Sequence, residues 1–247
     1  MNRLSQPQHS NPTYRIAVQF GFWMALLLAV ATTVAFGIAI TTMPISGPFC
    51  VSDCVTYPYE TVADHVPGDY IWMVPGALIA PIVVILMVCI HHYAAVEKKL
   101  FSQIGVIFAA IYTALIAVDY YIQLAVIQPS LLRSEFEGIA LISQYNPHSI
   151  FIALEDLGYV MLALTFLLIA PVFTGKQRLS GVLRWLFRIS SLLALGGFVL
   201  YHLIYGYNLE YRFEVFVIAV DWVTLIVAGV LVAIFFRSML QKAGKGV

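Results

Sequence analysis

Six stretches of this chain are nearly free of charge over the ~20 residues that an α-helix needs to cross a bilayer, and no motif restricts the fold as strongly. In hydrocarbon the backbone must satisfy its own N–H and C=O groups, so such stretches are helices. They run from about Ile16 to Ile40, Tyr70 to Tyr93, Phe101 to Gln128, Ser149 to Phe173, Leu183 to Gly206 and Phe213 to Arg237. The expected fold is all-α, a polytopic bundle of six transmembrane helices in one integral membrane domain over residues 1–247. Composition agrees: 11% of residues are charged and mean hydropathy is +0.89, where a soluble domain carries about 25% charge. The first apolar stretch exceeds the ~7–15 residues of a signal-peptide core and is read as retained. Net charge is zero and there is no basic stripe, which excludes nucleic acid as a partner.

Orientation follows from the basic residues. Arg3 and Arg15 precede the first span, Lys98 and Lys99 separate the second from the third, and Lys176, Arg178, Arg184 and Arg188 flank the fifth. Arg237, Lys242 and Lys245 close the chain. The opposite side has Arg133 and Arg212 against Asp53, Glu60, Asp64, Asp69, Glu135, Glu137 and Glu210. Both termini (1–15 and 238–247) are therefore expected in the cytoplasm, with outer loops at 41–69 and 129–148 and the plasma (inner) membrane as the location.

The first outer loop holds Cys50 and Cys54, a disulfide candidate in an exported segment. The two could equally stay as free thiols. Cys89 stands alone and reads as a small packing residue. In the second loop Pro129 can open a helix, and Leu132, Phe136, Ile139 and Ile142 recur near helical spacing. A short amphipathic helix on the outer surface, between spans three and four, is the expectation. Pro75 and Pro81 are expected to bend the second helix.

Acidic residues inside the spans carry the functional signal. Asp119 and Asp221 both occur in an Ala-Val-Asp-aromatic string, and a carboxyl at the centre of a transmembrane helix costs at least ~2.5–3.5 kcal/mol. Each falls about four residues outward of its span centre, ~6 Å from the midplane. Glu155, Asp156, Gln123, Tyr159 and His202 lie in the same outer half, which is rich in tyrosine. Tyr112, Ile116, Asp119 and Gln123 share one helical face, as do Glu155 with Tyr159, and Glu214 with Asp221 and Ala228. Polar faces in lipid turn inward, so these are expected to meet. Asp119 and Asp221, brought together in such a setting, are not expected both to stay charged unless a cation lies between them. The bland alternative is helix glue. The matching strings at Asp119 and Asp221 do not mark an inverted repeat, because that symmetry would place them on opposite sides of the midplane.

Asp119, Gln123, Glu155, Tyr159, His202 and Asp221 are the candidate ligand-binding residues, with no catalytic or metal-binding residue among them. The favoured function is binding, transport or sensing of a small polar or cationic ligand or an ion from the outer side, since tyrosine faces with carboxylates suit organic cations. One alternative is an intramembrane enzyme using paired carboxylates, disfavoured because no hydrolase or zinc-protease motif occurs. Another is an accessory subunit, docking a second copy or a partner through the Ala25, Ala29, Thr33 and Gly37 stripe. No cofactor is expected: there is no buried lysine for a Schiff base and no zinc-like ligand spacing.

Overall fold

In a computed structural model the chain is a bundle of antiparallel helices. Residues 12–42, 44–174 and 177–244 are described, the last three by backbone alone. Arg3, Lys176, Lys245 and the Lys242 side chain lie outside that description. The main helices are α1 (Pro12–Thr41), α2 (Met73–Tyr93), α3 (Lys99–Ile122), α6 (Ile150–Ile169), α7 (Arg178–Tyr205) and α8 (Arg212–Gly244), with short α4 (Gln128–Leu132) and α5 (Ile139–Ile142) between α3 and α6. Among the described residues there is no strand. Six helical spans are long and apolar enough to cross a membrane: Pro12–Thr41, Gly68–Tyr93, Val96–Leu132, Ile150–Val172, Arg178–Asn208 and Arg212–Gln241.

Neighbouring helices close a ring, α1–α2–α3–α6–α7–α8 and back to α1, with α6 also touching α8 across the middle. In the most apolar stretch of each span, 56% of residues are buried for α2 and α6 and 44% for α8, against 28% for α1, α3 and α7. The first three are thus the inner helices, and the others present broad apolar faces outward, including Phe20, Trp23 and Leu27 of α1. The long connections, 42–72 and 133–149, lie at one end, called here the disulfide end because Cys50 and Cys54 are bonded there. Both described chain ends lie at the other, the terminus end.

Close approach holds the helices together at mid-span and toward the terminus end. The small-residue stripe of α1 is divided: Ala25 and Ala29 pack against Gly229 of α8, while Gly37 meets nothing. Nearer the terminus end, Phe173 joins Phe187 at 5.7 Å and Phe235 at 5.6 Å, and Tyr93 meets Phe235 at 5.3 Å. Apolar side chains gain little by leaving lipid, so such contacts, not water exclusion, hold helices together. Cys89 is buried on α2.

Two local devices shape the disulfide end. Ser149 caps α6, its side chain accepting from the Ile152 N–H at 3.4 Å. After α3 the helix widens into a π turn at Gln123–Ile127, where the Gln128 N–H reaches the Gln123 carbonyl, and then continues as α4. Pro129 supplies the reason: its ring cannot tolerate the carbonyl four residues back, so the preceding turn opens. Pro129 therefore sits inside a continued helix rather than opening a separate one. Of the amphipathic helix expected on the outer surface, the described helical pieces are α4, in line with α3, and the single turn of α5; the chain turns at Arg133–Gly138. Pro75 falls in the first turn of α2 and Pro81 within the helix.

Candidate functional site

Five acidic side chains are buried in the spans: Asp119 on α3, Glu155 and Asp156 on α6, Glu214 and Asp221 on α8. Among the described residues the one ion pair, Arg212 with Glu210 at 2.7 Å, is elsewhere and partly exposed. No Lys or Arg neutralises the five, so hydrogen bonds and mutual arrangement must do so.

Helical periodicity places Glu155 and Tyr159 one turn apart on the inward face of α6, where α3 and α8 approach. Tyr120 of α3 donates to Glu155 Oε1 at 2.5 Å. The Tyr120 and Tyr159 hydroxyls are 3.2 Å apart, and the Trp222 indole N–H donates to Tyr159 at 2.8 Å. Donor counting fixes the direction. Tyr120 has one O–H, spent on Glu155, so Tyr159 donates to Tyr120. The order is Trp222 to Tyr159 to Tyr120 to Glu155, crossing from α8 to α6 to α3 and back to α6.

At its far side Glu155 meets Glu214, the two carboxyls standing within hydrogen-bonding range. Glu155 Oε2 receives no N–H or O–H from any neutral donor. Asp119 and Asp156 also neighbour this pair. Two carboxyls can touch only if one bears a proton, because an ionised carboxylate only accepts. Glu214 lies in the first turn of α8, where the helix dipole favours negative charge.

Glu214 also faces a cavity of about 500 Å³ at the disulfide end. Its walls carry Phe36, Trp72, Tyr145, Tyr211 and Trp222, and its carboxyl side chains are Glu214 and Asp69, with no Lys or Arg. Trp222 packs edge-on to Phe36 at 5.9 Å and against Trp72 at 6.1 Å, forming the aromatic floor. Asp69 accepts from the Tyr145 hydroxyl at 3.2 Å. Burial, reinforced by Tyr70 and Asp69, pushes the Tyr145 hydroxyl far above its ordinary range, so it remains a donor. The roof is tied down by Gln123, which donates to the Ile142 carbonyl at 2.6 Å and accepts from the Gln144 N–H at 3.2 Å. Tyr211 donates to the Gln144 carbonyl at 2.9 Å, which leaves the Ser46 hydroxyl to donate to Tyr211 at 3.0 Å.

The residues singled out in the sequence thus fall into separate places. Asp119, Glu155 and Tyr159 are brought together with Tyr120 and Glu214. The face formed by Tyr112, Ile116, Asp119 and Gln123 is wholly buried. Gln123 is committed to the roof. Asp221 is fully buried and neither oxygen has a hydrogen-bond donor; its neighbour on α3 is Tyr112, two turns before Asp119, and Asp119 faces Glu155 instead. His202 is exposed on α7, its Nδ1 against the Phe198 carbonyl at 2.7 Å. With Asp156 and Glu210 it lines a second cavity, of about 520 Å³, against α6. Glu214, Tyr120, Trp72 and Trp222 were not among the expected site residues; the shared face of Glu214 and Asp221 was the available signal for the first. Among the described residues no group of three His, Cys, Asp or Glu side chains could hold a metal ion. No protein-family model, curated protein or solved structure matches the chain.

Proposed function

We propose that this chain is a multi-pass membrane protein that binds a small organic cation of the ammonium type in the aromatic cavity at the disulfide end, with Glu214 as the counter-charge. The cavity faces the non-cytoplasmic side and both termini are cytoplasmic, as the basic segments indicate. The observation that carries the reading is the cavity wall: aromatic rings and two carboxyl side chains, with no basic residue, in about 500 Å³. Cation–π attraction over such rings contributes roughly 0.5–2 kcal/mol per contact, and the volume suits a small ligand. Asp69 is held by Tyr145, whereas Glu214 meets Glu155 on one side and the cavity on the other, which makes it the acid placed to meet a ligand. Close packing around Gly229 and Phe173 argues for binding at one side over a continuous path.

The test is titration of the purified protein with a panel of primary and quaternary alkyl- and arylammonium chlorides, by calorimetry. At least one should bind saturably, and Glu214→Gln should weaken it at least about tenfold, the loss of one close charge partner in a desolvated site. Equal affinity of the Glu214→Gln protein for the panel removes the proposal.

A further inference from the structure

The contact between Glu155 and Glu214 has a consequence for any cation that reaches Glu214. Glu155 is fully buried, its Oε1 accepts a hydrogen bond from the Tyr120 hydroxyl, and its Oε2 has no neutral donor. Among the described residues, a proton shared with Glu214 is the donor left for Glu155 Oε2, and it holds the pair at a single negative charge. A cation settling on Glu214 from the cavity needs that carboxyl ionised. If the proton stayed, the buried pair and its ligand would carry no net attraction beyond one shared charge, and Glu214 would present an O–H to a cation.

We propose that binding is an exchange: one cation enters the cavity and one proton leaves the Glu155–Glu214 pair. This rests on the cation-binding reading and deepens it. The charge of the site is conserved, because a proton of charge +1 is replaced by a ligand of charge +1. The Glu214 O–H bond breaks, its electron pair stays on the carboxylate, and the proton passes to water through the cavity that Glu214 lines. Glu155 keeps the Tyr120 hydrogen bond throughout. The other groups facing the pair are Asp119, Tyr112 and Tyr120 on α3, Asp156 and Tyr159 on α6, and Tyr211 just before α8. Asp69 and Tyr145 share the cavity, and His202 lines the second cavity with Asp156 and Glu210. None of these supplies a fixed positive charge, so nothing else stands in for the departing proton.

Because a proton is released, affinity rises with pH: protons compete at low pH, and the apparent Kd should fall about tenfold per unit rise while the pair still holds its proton. The decisive measurement is the number of protons released by the wild-type protein, from calorimetric titration of a binding arylammonium chloride in buffers of different ionisation enthalpy. The expected value is close to one. The second arm is Glu155→Gln. Its amide oxygen still accepts from Tyr120 and its NH₂ can donate to Glu214, so the variant keeps the hydrogen bonds without the shared proton. It should bind the probe and release none. Wild-type binding with no proton release overturns the exchange and leaves the binding site standing. Release of one proton by the Glu155→Gln protein moves the proton to another group and overturns the assignment. Failure of every ammonium probe to bind the wild type removes the binding reading, and the exchange with it.

Discussion

The two halves of the bundle differ in what lies between the helices. From mid-span to the termini, helices touch through small residues and phenyl rings, as Gly229 does against Ala25 and Ala29, and Phe173 against Phe187 and Phe235. Toward the disulfide loop the same helices part around a cavity and carry buried carboxyls joined by tyrosines. Close packing can hold helices together in lipid, whereas buried polar groups are costly there unless they find partners. Close contacts reach the polar end as well, as Gly76 against Tyr120 and Gly158 against Ile116 show, so the buried carboxyls are held between packed helices.

The comparison breaks most readily at Gly229. A Cβ there would stand 2.7 Å from the Ala25 carbonyl oxygen and 2.9 Å from the Ala29 Cβ. The backbone of α1 cannot yield as a side-chain tip would, so Gly229→Val should lower stability by about 3 kcal/mol. The readout is the unfolding midpoint in detergent. Ammonium affinity of the fraction that stays folded should be unchanged. A variant that loses affinity without losing stability would show that the two ends are not separable.

A smaller effect is expected from Tyr120→Phe at the polar end. The ring is retained, packed on Trp72 at 5.3 Å. What goes is the hydroxyl between Tyr159 and Glu155, so Tyr159 loses its acceptor and Glu155 Oε1 its donor. Leaving buried groups unpaired costs about 1–3 kcal/mol. Unlike Gly229→Val, this change should also alter affinity and its pH dependence, because Glu155 would hold its charge with one donor fewer. Parent-like unfolding and parent-like titration together would mean that the hydrogen-bonded chain is not formed.

The spans were legible because charge-free length is a one-dimensional property. The third shows the limit: read as Phe101 to Gln128, it extends over Val96–Leu132, since the π turn lets the helix pass Pro129 instead of ending near it. Inward faces were legible too, as the burial of Tyr112, Ile116, Asp119 and Gln123 shows. Which faces meet was not. Periodicity fixes a stripe on one helix but neither its rotation against a neighbour nor its depth to better than about a turn, so counting from span centres set Asp221 level with Asp119. In the bundle, Glu214, two turns earlier on α8, is the acid that reaches Glu155. The sequence puts Glu214 on the polar face of Asp221 and Ala228 but does not show that this face meets Glu155. Gln123 looked like a ligand-facing amide because nothing in sequence announces a bond to the Ile142 carbonyl, nineteen residues away.

The finest test of the comparison is Tyr145→Phe, which asks which carboxyl in the cavity meets the cation. The ring should stay edge-on to Tyr70, 6.0 Å away, so packing is preserved. The lost hydroxyl served Asp69 across 3.2 Å, and a single hydrogen bond of that kind contributes about 1 kcal/mol or less to stability. Freed of its donor, Asp69 would present a more available negative charge to the cavity. If Asp69 were the counter-ion, the ammonium affinity should then rise severalfold. With Glu214 in that role, bound through its own proton exchange on the far wall, the Kd should stay within about threefold of the parent, under 0.7 kcal/mol by the standard conversion. Calorimetric titration of the two proteins side by side decides it, and a clear gain in affinity would transfer the binding role from α8 to the residues preceding α2.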